Sequence, residues 1–205
     1  FYAIHSPVKS MLSLVAIWAT SRLVSHEIMG NVLYEPAQSD GQPALIRAPN
    51  TVLNDLHLRF LGKPTAHFAC AMTYGVLDTL TGQGRLAYAG EHVPMLVKAD
   101  GAVVQVGSSS SPLGAVTLTT FDNHDFVLDS GDSLFLYGAG LNNLITQPGK
   151  PCCEQGLQGV LSNCHGQTAL QRTLASLDAG IAQCRNQGGS DDVSVLVMQR
   201  GVMGP

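Results

Sequence analysis

Three groups of residues in this chain are of types that carry out chemistry. Glu91 next to His92 resembles a carboxylate beside a general base, although such neighbours are more often an exposed polar pair. Cys152-Cys153 is a vicinal pair that could be redox-active, and the Gly/Ser loop over 107–111 could cradle a phosphate. The chain contains neither the Gly-x-Ser-x-Gly nucleophile motif nor a Gly-rich nucleotide-binding turn. Residue types alone therefore do not identify a reaction.

The composition of the chain limits the kinds of protein and of binding partner that the sequence is compatible with. The chain has 205 residues, the size of one domain, with 45% hydrophobic and 13% charged residues and a net charge of −4. It lacks a basic cluster, which argues against nucleic acid and anionic membranes as partners. The longest apolar stretch, 11–24, is interrupted by Thr20-Ser21-Arg22, so we expect no membrane span. Five cysteines without a Cys-x-x-Cys pair indicate reduced thiols, no zinc site and a cytoplasmic protein.

The elements that would position a site are arranged around a predicted β-hairpin. Its arms, 72–77 and 86–88, are nearly continuous in apolar residues, which predicts strands in the middle of a sheet. Further strands are predicted over 102–106, 126–128, 133–137 and 193–198, and helices over 8–26, 50–61 (with Asn50 as the cap) and 168–184. Residues 142–167 are predicted to be irregular. This order predicts an α+β fold with mostly antiparallel strands.

At this point the chain resembles a family, the metal-dependent protein serine/threonine phosphatases of the bacterial SpoIIE-type branch. The resemblance spans roughly residues 1–200, and it implies two packed, mostly antiparallel β-sheets flanked by helices. It is carried by the order and spacing of these segments: Tyr74-Gly-Val-Leu-Asp78, Leu86-Ala-Tyr-Ala-Gly90, Ser111-Pro-Leu-Gly114, Leu128-Asp-Ser-Gly-Asp132, Leu134-Phe-Leu-Tyr137 and Ser190-Asp-Asp-Val-Ser-Val-Leu-Val197.

The resemblance also implies a site. In that family, aspartates hold two or more Mn²⁺ or Mg²⁺ ions, which activate a water molecule that attacks a phosphoserine or phosphothreonine. The match assigns Asp191 and Asp192 as metal ligands, although Gly-Gly-Ser-Asp-Asp is also an ordinary turn sequence. It places His5 and Gly140 in substrate binding and assigns no catalytic side chain.

Two departures from the family pattern bear on catalysis. Where the family has Tyr-Thr-Asp-Gly, this chain has Tyr137-Gly-Ala-Gly140, and Ala139 offers no side-chain oxygen. The Asp-x-x-Gly that should precede His5 is also missing. Either metal-bearing segments before Phe1 and between Ile4 and His5 are left out of this chain, or the site is degenerate. Ala139 lies inside a well-matched stretch, which favours an impaired metal site.

The resemblance further implies a role in a bacterial partner-switching pathway. We expect residues 1–205 to form one SpoIIE-type output domain, behind a receiver or sensor domain as in a response regulator. It would act on or bind a phosphoserine anti-sigma-factor antagonist. The alternatives are a non-catalytic docking module for a signalling partner and an unrelated α+β scaffold.

Overall fold

The fold is described from a computed structural model of the chain. The structure describes residues 32–35, 45–61, 69–115, 118–138, 140–141, 156–163, 171, 174–175, 178 and 194–201. The helix predicted over 8–26 and most of the one predicted over 168–184 lie outside these residues. The chain divides into two compact units, a first of Phe1–Val76, Arg85–Glu91 and Ser109–His124 and a second of Leu77–Gly84, His92–Ser108 and Asp125–Pro205.

Nine strands and two helices of the described structure have defined bounds. The strands form three sheets, with the orders β1-β2, β3-β4-β7 and β6-β5-β8-β9. The bounds are β1 Tyr34–Glu35, β2 Leu45–Ile46, α1 Pro49–Phe60, β3 Met72–Leu77, β4 Gln83–Ala89, β5 Met95–Val97, β6 Val103–Gln105, β7 His124–Val127, β8 Ser133–Tyr137, α2 Gly156–Ser162 and β9 Val195–Gln199.

Helix α1 organises the first unit, and its start differs from the prediction. It begins at Pro49, which suits the first helical position because proline lacks an N–H, and no side chain of the preceding Ala48 caps it. The predicted cap at Asn50 is therefore wrong. Instead, the Asn50 N–H donates to Oδ1 of Asn123 at 2.8 Å, and Nδ2 of Asn123 donates to Oδ1 of Asn50 at 2.9 Å. The cap comes from a residue far along the chain.

The predicted hairpin is present, and its second arm is central in the sheet. Strands β3 and β4 are neighbours joined by a turn over 78–82, and a connection this short requires them to be antiparallel. The 86–89 part of β4 is buried, and β4 lies between β3 and β7. Among the described strands of this sheet β3 has one neighbour, β4, and its Gly75 is exposed, so central placement of this arm stays a prediction.

The four-stranded sheet of the second unit carries the candidate site. All its pairs are antiparallel, and β8 pairs with β9 from Ser133 opposite Gln199 to Tyr137 opposite Val195. The predicted strand over 133–137 is confirmed with its bounds. One face of this sheet packs on a cluster to which Leu174 also contributes, together with Met95, Val97, Phe135, Leu141, Leu157 and Leu161.

Helix α2 corrects the prediction of an irregular segment over 142–167. Its Leu157 and Leu161 are buried in that cluster, one helical turn apart on the same face. A helix this short has too few residues to show a clear period in sequence.

The first unit has its own core, around α1 and β4. Its buried members are Val32, Val52, Leu53, Leu56, Cys70, Met72, Ala87, Ala89, Leu113 and Phe121. Burial raises the pKa of the Cys70 thiol to about 11, as expected of an inert structural cysteine. The other four cysteines lie outside the described residues. In the part of the chain that the structure describes, no helix has the length and apolarity that crossing a bilayer requires.

Candidate functional site

The candidate site lies where β8 ends and β9 begins. Tyr137 and Val195 form the last strand pair, and one step further the Gly138 N–H donates to the Ser194 carbonyl at 3.0 Å. The antiparallel ladder therefore sets the segment after Tyr137 beside the segment before Val195. We call Tyr137, Gly138, Gly140 and Ser194 the site edge.

Gly138 lies close to the side chain of Ser194. A Cβ atom at position 138 would lie 2.7 Å from Oγ of Ser194, closer than ordinary van der Waals contact. Because side chains alternate along strands, Ser194 lies on the sheet face opposite to Tyr137 and Val195, which pack on the second unit's core. Ser194 is exposed, whereas Gly138 is buried. At this edge the Ser194 hydroxyl therefore lies beside the backbone of Gly138, which carries no side chain.

Gly140, predicted to contact substrate, is buried at this edge. It begins a helical turn with Leu141, whose N–H donates to the Gly138 carbonyl at 3.1 Å. This bond forms just after the end of β8, and the Leu141 side chain is buried in the core of the second unit. The position agrees with the expected site, but no contact of Gly140 identifies a substrate. His5 lies outside the described residues.

Tyr137 and His92 add two ring systems to the site edge. Their centroids are 5.8 Å apart with planes tilted by 45°. Burial raises the pKa of the Tyr137 phenol, which therefore stays protonated and uncharged at neutral pH. His92 is half-buried by this packing, so it is not the fully exposed polar residue of the simpler sequence interpretation.

The described residues of the site edge do not fit a two-metal centre. Their oxygens are a serine hydroxyl, a phenol and backbone carbonyls, whereas Mn²⁺ and Mg²⁺ need anionic oxygen ligands. Within the described ranges, no three His, Cys, Asp or Glu side chains are grouped so that they could hold a metal ion. The predicted ligands Asp191 and Asp192 lie outside the described residues, as does Ala139 itself.

Among the described residues of the same unit, carboxylates are concentrated at the opposite end of the β8–β9 pair. Lys98 Nζ contacts Asp132 and lies 2.8 Å from Oδ2 of Asp129. The Asp132 carboxylate is buried and accepts the N–H groups of Ala99 at 2.9 Å and of Asp129 at 3.0 Å. We call Lys98, Asp129, Asp132 and Arg200 the turn cluster.

Arg200 completes the turn cluster through backbone contacts. Its guanidinium donates to the carbonyls of Thr81 at 2.6 Å, Leu80 at 2.7 Å and Leu128 at 2.9 Å. It thereby ties the β3–β4 turn to the end of β9. Since each Arg or Lys of the turn cluster is matched by carbonyls or carboxylates, the cluster stabilises the fold rather than offering a ligand site.

The hydrogen bond to Lys98 lowers the pKa of Asp129, and the same contact, followed by that with Asp132, raises the pKa of Lys98. Sequence reasoning used Leu128-Asp-Ser-Gly-Asp132 only as part of the family resemblance and gave Ser194 no role of its own. The role of Ser194 depends on strand register, which no local sequence signal supplies.

The comparisons with known proteins indicate one family. The family model for Stage II sporulation protein E (SpoIIE) matches residues 21–201. The chain belongs to the SpoIIE family. No curated protein sequence gives a significant match.

Solved structures agree with this assignment. The structure of the RsbU and RsbW domains of Rv1364c from Mycobacterium tuberculosis is 28% identical over 76% of this chain, with a TM-score of 0.50. This chain covers 41% of that one. The SiaA-PP2C domain of Pseudomonas aeruginosa is 17% identical over 94% of this chain and 69% of its own, with a TM-score of 0.61.

A manganese-presoaked SpoIIE phosphatase domain from Bacillus subtilis is 13% identical over 91% of this chain and 75% of its own, with a TM-score of 0.56. These neighbours confirm the predicted α+β fold of the metal-dependent phosphatases. This SpoIIE-type chain is therefore a phosphatase-family domain. One of its structural neighbours was presoaked with manganese, and another, RsbX, was solved in complex with magnesium.

Proposed function

We propose that this domain is the output domain of a bacterial signalling protein, and that it binds an anti-sigma-factor antagonist controlled by serine phosphorylation. Its metal site, for Mn²⁺ or Mg²⁺ by family expectation, is impaired, so that it removes phosphate slowly or not at all. The family and the similarity to the RsbU–RsbW structure support the signalling role. A cytoplasmic location, a preceding receiver or sensor domain and a single SpoIIE-type domain over 1–205 belong to the same proposal.

The observation that carries the impaired site is the composition of the site edge. Residue 139 is an alanine between two buried glycines, at the point where the family pattern has a metal-binding aspartate. Two divalent cations repel each other, and only several carboxylates can offset that repulsion. Asp191 and Asp192 alone would supply too few anionic oxygens.

A second candidate is a pseudophosphatase docking module for a signalling partner of another kind. The low content of charged residues, 13%, favours it, because weakly charged surfaces suit protein–protein contact. The two proposals share the impaired site and differ in the partner.

The experiment that tests the proposal is a phosphatase assay in Mn²⁺ or Mg²⁺ with para-nitrophenyl phosphate and with phosphoserine antagonists of the source organism. We expect background turnover from the unsubstituted protein and at least tenfold more from Ala139→Asp. Ala115→Asp, which adds the same charge at an exposed position of the first unit, is the matched control and should stay at background. Rapid, metal-dependent turnover by the unsubstituted protein would contradict the proposal.

A further inference from the structure

Two polar side chains on α1 hold the chain segment between β6 and β7. Oδ1 of Asn54 accepts the N–H of Phe121 at 3.1 Å, and Nδ1 of His57 accepts the N–H of Gly114 at 3.1 Å. Positions 54 and 57 are three residues apart, so they lie on the same side of the helix. The two contacts are alike in length and in donor type, but an amide does not change charge with pH, whereas an imidazole does.

The contact with Gly114 exists only when the His57 ring is neutral. The residue is 2% exposed, and its ring meets that of Phe121 edge-on, with the centroids 5.6 Å apart. A neutral imidazole has one N–H and one acceptor nitrogen, so a ring that accepts at Nδ1 carries its proton on Nε2. A proton added to Nδ1 would occupy the position to which the Gly114 N–H points, and it would place a charge among buried groups.

The other titratable groups around this core differ from His57 in type or in burial. Cys70, Tyr74 and Tyr88 are buried or half-buried, and their residue types ordinarily ionise above about pH 8. Burial raises the pKa of the Cys70 thiol further, to about 11. Of these groups, histidine is the type that ordinarily changes charge between about pH 5 and 8. The charged side chains of the described first unit are not buried: Glu35, Arg47, Asp55, Arg59, Arg85, Glu91 and Asp122.

We infer that His57 acts as a pH-sensitive latch between α1 and the segment at Gly114. The latch is closed while the imidazole is neutral and opens when the ring takes up a proton, so the segment is held less firmly as the pH falls. Asn54 keeps its contact with Phe121, so the loss is confined to one end of the segment. The inference goes beyond the proposed function, because it concerns the core of the first unit and involves neither a metal nor a partner.

The test is amide hydrogen exchange of the unsubstituted protein, followed by NMR at about pH 8 and about pH 5. The amide of Phe121 is the internal control, because its acceptor does not titrate. We expect the protection of Gly114 relative to Phe121 to fall about tenfold or more at the lower pH, and the nitrogen shifts of His57 to show a proton on Nε2 at the higher pH. A ratio that does not change with pH, or a proton on Nδ1 at about pH 8, would overturn the inference.

A matched pair of variants identifies the group responsible. His57→Asn places an amide oxygen where Nδ1 lies and cannot be protonated in this range, so the Gly114 amide should be equally protected, within about twofold, at both pH values. His124→Asn is the control, because it removes the other described histidine of the first unit, which packs on Tyr88 with the ring centroids 5.5 Å apart, and the pH dependence should remain. A pH dependence that survives in His57→Asn, or that disappears in His124→Asn, would overturn the inference, since a different group would then be its cause.

Discussion

The two ends of the β8–β9 strand pair differ in the charge of their described side chains. At the turn cluster, the buried carboxylate of Asp132 accepts hydrogen bonds from one ammonium and two backbone N–H groups. At the site edge, Gly138 and Ser194 meet through a single backbone hydrogen bond and a hydroxyl, with no described charge beside them. Among the described residues, the same two strands thus connect a charged, cross-linked end to an end without a charged side chain.

The difference separates stability from function in this SpoIIE-type domain. Every charged group of the turn cluster contacts a partner in the same unit, so these charges stabilise the fold. The described contacts between Gly138 and Ser194 are few, so residue changes there should affect ligands more than folding. In the proposed impaired site, alanine at position 139 lacks a carboxylate on which a dication would depend.

The largest effect on stability should come from Asp132→Ala. It leaves Lys98 with Asp129 alone and strands the N–H groups of Ala99 and Asp129, which should cost about 3 kcal/mol of the free energy of unfolding. Asp100→Ala is the control, because the exposed Asp100 carboxylate accepts one N–H, that of Ala102, and its loss should cost less than about 1 kcal/mol. Urea denaturation measures the free energy of unfolding of both variants. Equal losses in the two variants would show that Asp132 is not the centre of the cluster.

A pair of glycine substitutions tests the comparison directly. Gly82 has φ of +79°, and a Cβ there would collide with the Leu128 carbonyl and the Arg200 guanidinium, so Gly82→Ala should cost about 2 kcal/mol or more. Gly138→Ala meets only the Ser194 hydroxyl, which can rotate away, and should cost less than about 1 kcal/mol. Thermal unfolding measures the loss of stability in both variants. A larger loss for Gly138→Ala than for Gly82→Ala would contradict the expectation that the turn cluster contributes more to stability than the site edge.

The smallest effect is a pH dependence from the turn cluster. Lys98 lowers the pKa of Asp129 below its ordinary value of 3.8, so this stabilisation is present above that value and is lost as the pH falls through the lowered pKa. Asp129 and Asp132 raise the pKa of Lys98 above 10.5, so that contribution is lost as the pH rises through the raised pKa. Asp129→Asn should flatten the acid limb of the urea midpoints, where the pH falls through 3.8 and below. An unchanged acid limb would mean that the exposed Asp129 pair contributes nothing.

Local patterns predicted the elements that need only local information. The strand over 133–137 was predicted with its bounds from its apolar run. The start of α1 was missed because its cap, Asn123, is remote in sequence. The contact between Ser194 and Gly138 depends on strand register, which the sequence does not show. The metal ligands Asp191 and Asp192 remain predictions from family resemblance.

The most direct test of the central claim is a calorimetric titration of the full-length protein and its Ala139→Asp variant with Mn²⁺. We predict that the unsubstituted protein binds Mn²⁺ no more tightly than roughly 100 µM, as expected of a site with few charged ligands, and that the aspartate variant gains at least tenfold in affinity. Ala115→Asp should bind like the unsubstituted protein. Micromolar binding of two Mn²⁺ ions by the unsubstituted protein would contradict the impaired site and the account built on it.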